Sequence, residues 1–264
     1  MDELQNFYAR EGFVTVGLVW ISMSLLGAQP FVLSGDIPNY LDAVFETVSG
    51  FTTTGATILP QVEVLSRSYM FWRMFTQWIG GGRAAPRIFR GVEHGQYGEL
   101  QHARLYAVAA VHAVGAADAD VRRACAGGTG GGLKVSRFIM LVKSAASDVR
   151  RMIHPRRVTR IQLDGSRVES GTLKAVYTYF LIYVLIIVAG TMVVSLDGYD
   201  MTTNFTAALA CISNIGPGMG QIGPASCFNI FSAPVKMALS VIMLFGRLEL
   251  YPILAFFAPT TWRK

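Results

Sequence analysis

Residues Phe45 to Pro60 have the sequence "FETVSGFTTTGATILP", in which three consecutive threonines are followed by Gly55. The segment before the threonines, "IPNYLDAVFETVSG", is too short and too polar to span a bilayer, which takes ~20 helical residues. The stretch therefore predicts a short helix followed by an irregular loop at membrane depth. Such a loop is tolerated only where it is buried in protein or lines a wet cavity.

Longer apolar segments flank this stretch on both sides. No charged residue lies between Glu11 and Asp36, which predicts a spanning helix. After the loop, "SRSYMFWRMFTQWIGG" begins like a second spanning helix and stops at Gly81. The order is a long helix, a short helix, a glycine-containing loop and a long helix.

The second half of the chain has the same order. Ala175 to Leu196 form a clean apolar span, "YDMTTNFTAALACIS" is again too short for one, and "NIGPGMGQIGP" is a Gly/Pro loop. A last apolar segment contains Arg247 and Glu249. The sequence therefore predicts an all-α membrane protein of repeated helix–pore helix–filter loop–helix units. Helices are expected at about 12–34, 66–81, 133–154, 173–196 and 233–257, with pore helices near 38–49 and 202–213.

Composition and charge support a membrane protein. Only 15% of the residues are charged, against roughly 25% in soluble domains. Nine Lys/Arg and two acidic residues lie between Lys134 and Arg167, which favours a cytoplasmic loop under the positive-inside rule. Both loops then enter the membrane from the outer face. The three cysteines form no close pair, which argues against a disulfide framework or a metal knuckle.

The loops have a composition that suits ion coordination. Selectivity filters replace the water of a potassium ion with rings of backbone carbonyls. Glycine helps because it adopts positive φ without steric penalty. On the residues of "TTTGA" alone, a Thr-rich surface turn is an equal alternative, and its position between two spans favours the filter.

Several motifs together resemble one family. "VFETVSGFTTTGATILP" is similar to the first pore loop of the Trk/Ktr/HKT superfamily of potassium transporters, nearest the bacterial TrkH type. "CISNIGPGMG" resembles its fourth pore loop, "CAGGTGGGLKVSRFIMLVK" its third-repeat inner helix, and "MLFGRLELYPIL" its last helix. The resemblance implies four repeats around a pseudo-fourfold axis, of which this chain has a partial set.

The resemblance also assigns functional residues. The expected potassium filter consists of Thr53, Thr54, Gly55, Asn214, Ile215 and Gly216. The expected gating residues are Gly128, Gly130, Gly131, Gly132, Lys134 and Arg247. We expect the carbonyls of Gly55 and Gly216 to face a common axis from opposite sides. For Arg247, an ion pair with Glu249 or snorkelling towards the membrane surface is the alternative.

The implied function is potassium uptake across a bacterial inner membrane by a multi-pass protein that is not an enzyme. No cofactor is expected, and the potassium ion is the substrate. Expected partners are membrane lipid, a second copy in a homodimer and a cytosolic nucleotide-binding TrkA-like regulatory subunit, with no nucleic acid. The alternative of a phosphate-binding loop at "GGTGGGLK" is weak, because the Gly-Lys-Ser/Thr ending and a preceding strand are both missing.

The middle of the chain departs from the resemblance. We divide the chain into a first pore-loop repeat (1–81), an anomalous segment (82–124), a third-repeat inner helix with a basic end (125–171) and a fourth pore-loop repeat (172–264). If "ADADVRR", Ala117 to Arg123, is translated one base later, its codons permit apolar residues typical of a helix. We therefore interpret 82 to about 123 as third-repeat sequence in a shifted frame after a large deletion. A natural divergent loop is the alternative, and sequencing the coding DNA decides between them.

Three functions are thus open at this stage. The first is a partial, non-conducting version of a potassium-uptake pore subunit. The second is a membrane fragment without any activity, such as a pseudogene product or an assembly error. The third is an unrelated basic membrane-anchoring protein whose glycine-rich segment binds nucleotide.

Overall fold

The structure is a computed structural model that describes residues 9–60, 66–81, 135–154, 162–163, 166–168, 170–223 and 226–248. These residues fall into two compact units. The first unit contains the described residues up to 81 and from 187 onwards, and the second contains those from 135 to 186. Both predicted pore-loop segments therefore lie in the first unit.

The described residues contain eight helices, of which four lie in the first half of the chain: α1 (Ala9–Gly27), α2 (Gln29–Leu33), α3 (Tyr40–Phe51) and α4 (Arg67–Gly81). The sequence predicted one helix over 12–34, but the structure breaks it after α1. Pro30 lies in the first turn of α2 and has no N–H to continue the hydrogen bonds of α1. The indole Nε1 of Trp72 donates instead to the carbonyl oxygen of Gly27 at the break, at 2.9 Å.

Four more helices form the second half: α5 (Val135–Ile153), α6 (Ser170–Val194), α7 (Met201–Ser213) and α8 (Ala233–Arg247). Short 3₁₀ turns follow at Ser195–Asp197, Gly220–Ile222 and Phe228–Ile230. Two antiparallel strands of two residues each, β1 (Gln162–Leu163) and β2 (Ser166–Arg167), precede α6 and were not predicted.

The predicted helix order agrees with the structure. The two short pore helices, expected at 38–49 and 202–213, are α3 and α7. Among the described residues, two segments are long and apolar enough to cross a membrane, Val14–Leu33 and Gly171–Asp197. At 1.5 Å per residue, the 25 residues of α6 extend about 38 Å, more than the ~30 Å of a hydrocarbon core. The all-α fold is thus confirmed.

The first pore helix, α3, is enclosed by protein. Every residue from Ala43 to Phe51 is buried, including the polar ones. Helices α1, α2, α4 and α8 all pack against α3. The helix α8 packs also against the second pore helix, α7, and so joins the two repeats. This enclosure allows a short helix and its loop to sit away from lipid.

Glycines place both pore helices by the same contacts. A Cβ built on Gly27 of α1 would lie 2.8 Å from the Thr47 methyl group of α3. In the second repeat, a Cβ on Gly190 of α6 would lie 3.2 Å from Ala208 of α7. Glycine at both places therefore lets the long helix approach the pore helix closely.

The last helix of each repeat shows a second such contact. A Cβ on Gly80 of α4 would overlap the carbonyl oxygen of Phe51, and a Cβ on Gly246 of α8 would overlap that of Ile212. Both carbonyls lie at the end of a pore helix. Two sequence repeats thus fold into two copies of one packing arrangement.

In the second unit, α5 packs on the first part of α6. The guanidinium of Arg137 lies 4.1 Å from the ring centroid of Tyr179, a cation–π contact. Met140 and Ser144 of α5 are buried. The predicted segment bounds stay a prediction, because 82–124 and the start of the third segment lie outside the described residues.

Candidate functional site

In the first loop, which follows α3, every second residue from Thr53 to Gly55 has a left-handed backbone conformation. Thr53 has φ 57° and Gly55 has φ 81°, both in the left-handed region. The N–H of Thr53 donates to the carbonyl oxygen of Gly50 at 3.0 Å, and that of Thr54 donates to Ser49 at 2.9 Å. A threonine with positive φ is uncommon, and such strain persists only when the surroundings enforce it.

The second loop repeats this conformation. Asn214 has φ 51° and Gly216 has φ 93°. The N–H of Asn214 donates to the carbonyl oxygen of Cys211 at 3.3 Å, and that of Ile215 donates to Ala210 at 3.0 Å. The hydrogen bonds have the same spacing along the chain as those of the first loop. Thr53 therefore corresponds to Asn214, Thr54 to Ile215, and Gly55 to Gly216.

The carbonyl oxygens of these six residues share one property. Among the hydrogen bonds between described residues, none ends on a carbonyl oxygen of 53–55 or 214–216. The next carbonyls of the first loop are bound: the Ser49 hydroxyl donates to Ala56 at 2.6 Å, and the Phe228 N–H donates to Thr57 at 2.8 Å. A residue with positive φ turns its peptide plane, so successive carbonyls can share a side.

The two loops lie side by side. A Cβ built on Gly216 would lie 2.5 Å from the Thr54 carbonyl oxygen and 3.1 Å from the Gly55 carbonyl carbon. The rings of Phe45 and Phe228 also pack, with centroids 5.6 Å apart. We expected Gly55 and Gly216 on opposite sides of an axis, and this was wrong. In a closed ring of repeats, the first and the last are neighbours.

Side chains of the loops point into the protein. Thr52 and Thr54 are 0% and 2% exposed, and their hydroxyls are 2.7 Å apart. The amide nitrogen of Asn214 donates to the Thr54 hydroxyl at 2.8 Å and to the Met243 carbonyl oxygen at 3.1 Å. The Thr54 hydroxyl is therefore used within the protein, and only the backbone of Thr54 is left for a ligand.

The sequence analysis missed a charged pair that contacts the residues following the first filter loop. The carboxylate of Glu46, in α3, accepts from Arg73 Nε of α4 at 2.7 Å. It also accepts from the Thr57 hydroxyl and the Ile58 N–H, both at 3.1 Å. The signal was present, since each is a charged residue with apolar neighbours and ionisable groups at membrane depth come in pairs.

A second buried pair joins the two repeats. Lys236 of α8, 5% exposed, donates to Asp42 of α3 at 2.8 Å and to the Asn229 amide oxygen at 3.2 Å.

The second pore helix begins at a carboxylate cap. Asp200 caps α7 by accepting from the Thr203 N–H and hydroxyl. The hydrogen bond from the Thr203 hydroxyl is the main reason why the pKa of Asp200 is lowered.

Of the expected gating residues, only Arg247 is among the described residues. It lies at the end of α8, donates to the carbonyl oxygen of Gly80 at the end of α4, and has its guanidinium 5.9 Å from the ring centroid of Trp20. Arg247 thus joins three helices inside the first unit. The glycines at 128 and 130–132, Lys134 and the alternative partner Glu249 lie outside the described residues.

No group of three His, Cys, Asp or Glu side chains that could hold a metal ion occurs in the part of the chain that the structure describes. What the two loops offer is backbone oxygen, which suits a hard monovalent cation. Both pore helices end at these loops, and the C-terminal end of a helix carries partial negative charge. Fold and loops together define a membrane protein of the pore-loop class.

The chain belongs to the TrkH family of cation transport proteins, whose sequence model matches residues 1–85 and 123–264. It is therefore a multi-pass protein of the inner membrane, and the members of its family are transport proteins rather than enzymes. This membership confirms the predicted family. It excludes the third hypothesis, that the chain is an unrelated membrane-anchoring protein whose glycine-rich segment binds nucleotide. The match omits 86–122, which lie within the anomalous segment.

Individual relatives match parts of the chain. The Trk system potassium uptake protein TrkH of Vibrio parahaemolyticus is 38% identical over 140 residues, which are 53% of this chain and 28% of that protein. The TrkH protein of Escherichia coli K12 is 36% identical over 140 residues, 53% of this chain and 29% of that protein. An uncharacterized cation transporter of Methanocaldococcus jannaschii is 48% identical over 77 residues, 29% of this chain and 16% of that protein.

The crystal structure of the potassium transporter TrkH from Vibrio parahaemolyticus has the same fold, with a TM-score of 0.76 at 21% identity. That match covers 100% of this chain and 88% of that chain. The sequence matches to the two TrkH proteins, in contrast, cover less than a third of their length.

Proposed function

We propose that this chain is a partial version of the pore subunit of a potassium-uptake system. Its filter residues would be Thr53, Thr54, Gly55, Asn214, Ile215 and Gly216. The observation that carries the proposal is the paired left-handed backbone of the two loops, which leaves six neighbouring carbonyl oxygens without a donor among the described residues.

A monovalent cation such as potassium fits these loops better than a divalent cation. Rings of neutral carbonyl oxygens replace the hydration shell of potassium, whereas calcium and magnesium prefer carboxylate ligands. The carboxylates near the first loop are already paired with Arg73 and Lys236. The residues at hand thus favour a monovalent cation as the substrate, and no cofactor is part of the proposal.

The remaining parts of the proposal rest on the family resemblance. Gating would involve Arg247 together with Gly128, Gly130, Gly131, Gly132 and Lys134. The partners would be membrane lipid, a second copy in a homodimer, and a cytosolic nucleotide-binding TrkA-like regulatory subunit. The position of Arg247 at the ends of α4 and α8 supports a role in gating, because small shifts of these helices change its contacts.

We expect this polypeptide not to conduct potassium on its own, because at most two filter loops can be recognised in its sequence and the family resemblance implies four. The measurement is growth of a potassium-uptake-deficient bacterial strain in low-potassium medium. An intact TrkH protein in the same vector is the positive control. Growth restored by this chain to the level of that control would overturn the expectation.

A second candidate, a fragment without any activity, is favoured by the small share of the TrkH relatives that the chain matches. Ion binding separates the two. If the paired loops bind potassium, potassium chloride raises the unfolding temperature of the purified chain more than equal sodium or choline chloride does. Equal unfolding temperatures in the three salts would favour the inert fragment.

Gly55 should be decisive for selectivity in an intact parent transporter. Its φ of 81° is unfavourable for serine, and the strain at such a site costs on the order of 1–3 kcal/mol. Since about 1.4 kcal/mol corresponds to a tenfold change in a binding constant, Gly55→Ser should reduce the preference for potassium over sodium about tenfold, with the fold retained. Ion flux in proteoliposomes measures it, and unchanged selectivity would remove Gly55 from the filter.

A further inference from the structure

One carboxylate connects three segments around the first loop. Glu46 belongs to α3, is 2% exposed, and lies close before the loop in sequence. One oxygen accepts from Arg73 on α4 at 2.7 Å. The other accepts from Thr57 and Ile58, the two residues that lead away from the filter, both at 3.1 Å. One side chain therefore contacts three segments: the pore helix α3, the long helix α4 and the residues that follow the filter loop.

The ionised state makes this junction strong. A carboxylate at membrane depth is costly unless it is paired, and Arg73 supplies the opposite charge. Hydrogen bonds to an ionised acceptor are roughly twice as strong as those between neutral groups. Arg73 thus orients the Glu46 carboxylate, and Glu46 in turn holds Thr57 and Ile58.

The second loop has no such carboxylate. Counting back from Gly216 as from Gly55, the position that corresponds to Glu46 is Ala207, which is fully buried. The second loop is held instead by Asn214, whose amide nitrogen donates to Thr54 of the first loop and to the Met243 carbonyl of α8. The Phe228 N–H, beyond the second loop, donates to the Thr57 carbonyl oxygen.

We infer that Glu46 and Arg73 form a charged strap that fixes the first filter loop, and that the second loop takes its position from the first through Asn214. Glu46 and Arg73 are positioning residues, since they reach the six carbonyls only through the backbone of the loop. The inference deepens the proposed function and rests on it only where ion binding is concerned.

This arrangement makes the effects of substitutions unequal. Removal of the strap loosens both loops, because the second depends on the first. Removal of the Asn214 side chain loosens the second loop alone. The suitable substitution there is Asn214→Gly, because glycine adopts the left-handed backbone of Asn214 without strain.

Two double variants separate the strap from mere loss of charge. Glu46→Ala with Arg73→Met removes the acceptor without leaving an unpaired buried charge, and Ala207 shows that a pore helix accommodates alanine at this place. Glu46→Gln with Arg73→Gln removes the same charges and keeps an acceptor oxygen for Ile58. Both lack the ion pair, so they differ mainly in the hydrogen bonds to the loop.

The experiment is amide hydrogen exchange of the full chain in detergent micelles, first in choline chloride. In the alanine/methionine variant, the Ile58 amide loses its acceptor and should exchange about tenfold faster or more. Peptides of both loops should exchange faster as well. The glutamine variant should stay within a few-fold of the unmodified chain, and Asn214→Gly should change only the second loop.

Three results would overturn the inference: unchanged exchange at Ile58 in the alanine/methionine variant, equal exchange in the two double variants, or faster exchange confined to the first loop. Repeating the measurement in potassium chloride tests the proposed function separately. If potassium slows exchange in neither loop of the unmodified chain, the proposed ion binding is wrong, and the choline measurement still tests the strap.

If potassium does slow exchange in both loops, the alanine/methionine variant should need several-fold more potassium for the same protection and should discriminate less against sodium. The glutamine variant should show the potassium affinity and the selectivity of the unmodified chain.

Discussion

Gly246→Ala should unfold or severely loosen the packing of α8 against the second pore helix. A Cβ at this place would overlap the Ile212 carbonyl oxygen and lie 2.8 Å from both the Ile212 carbonyl carbon and the Asn214 amide oxygen. The nearest atoms on Ile212 are backbone, which cannot move aside as the end of a flexible side chain could. Overpacking costs 1–3 kcal/mol and occasionally more, and we expect about 3 kcal/mol or more here. SDS titration of the purified chain in mixed micelles, followed by circular dichroism, measures this loss.

The control for this prediction is Gly17→Ala in α1. A Cβ at Gly17 has no neighbour within 4 Å, and alanine is favoured over glycine within a helix by roughly 0.5–1 kcal/mol. Gly17→Ala should therefore be neutral or slightly stabilising. Gly80→Ala is the counterpart in the first repeat, because its Cβ would overlap the Phe51 carbonyl oxygen. Equal stabilities of the three variants would show that close approach of the helices is not what requires glycine.

Gly216→Ala should separate the two filter loops. The substitution combines two costs, a φ of 93° and a Cβ 2.5 Å from the Thr54 carbonyl oxygen. The strain alone costs on the order of 1–3 kcal/mol, and the overlap with backbone adds to it. We expect faster amide exchange in both loops and loss of the stabilisation by potassium, measured as the difference in unfolding temperature between potassium and choline chloride.

The matched control for Gly216 is Gly198→Ala. Gly198 has a φ of 78° and nothing within 4 Å of a Cβ, so that this variant suffers the strain without the overlap. It should lose about 1 kcal/mol of stability and keep the response to potassium. If Gly216→Ala also keeps that response, the contact between the loops is not part of the ion site.

The helix order followed from periodic and compositional features of the sequence. The long apolar segments, the two short segments after them and the glycine-containing loops recur in both halves, and α3 and α7 lie where such a repeat places them. The start of α3 also has a local cause in the sequence, since the Asn39 side chain caps the helix by accepting from the Leu41 N–H. The break before Pro30 was open to prediction too, because proline lacks the donor that a continuous helix needs.

The partners in the charged contacts could not be predicted from the sequence, although the charged residues themselves are evident in it. Glu46 and Arg73 are 27 positions apart, and Asp42 and Lys236 are 194 apart. Their chemistry requires partners, but pairing depends on which helices pack together. The same holds for Asn214 and Thr54, separated by 160 positions, whose hydrogen bond sets the second loop against the first.

The sequence by itself determined the class of protein, the family and the residues of the two loops, because hydrophobic length, glycine and threonine act locally and recur in order. Only the tertiary structure decided that the loops are neighbours and that the hydroxyl of Thr54 is used within the protein. These facts depend on contacts between distant segments. Such contacts form when α8 packs against both pore helices at once, and no local pattern encodes that.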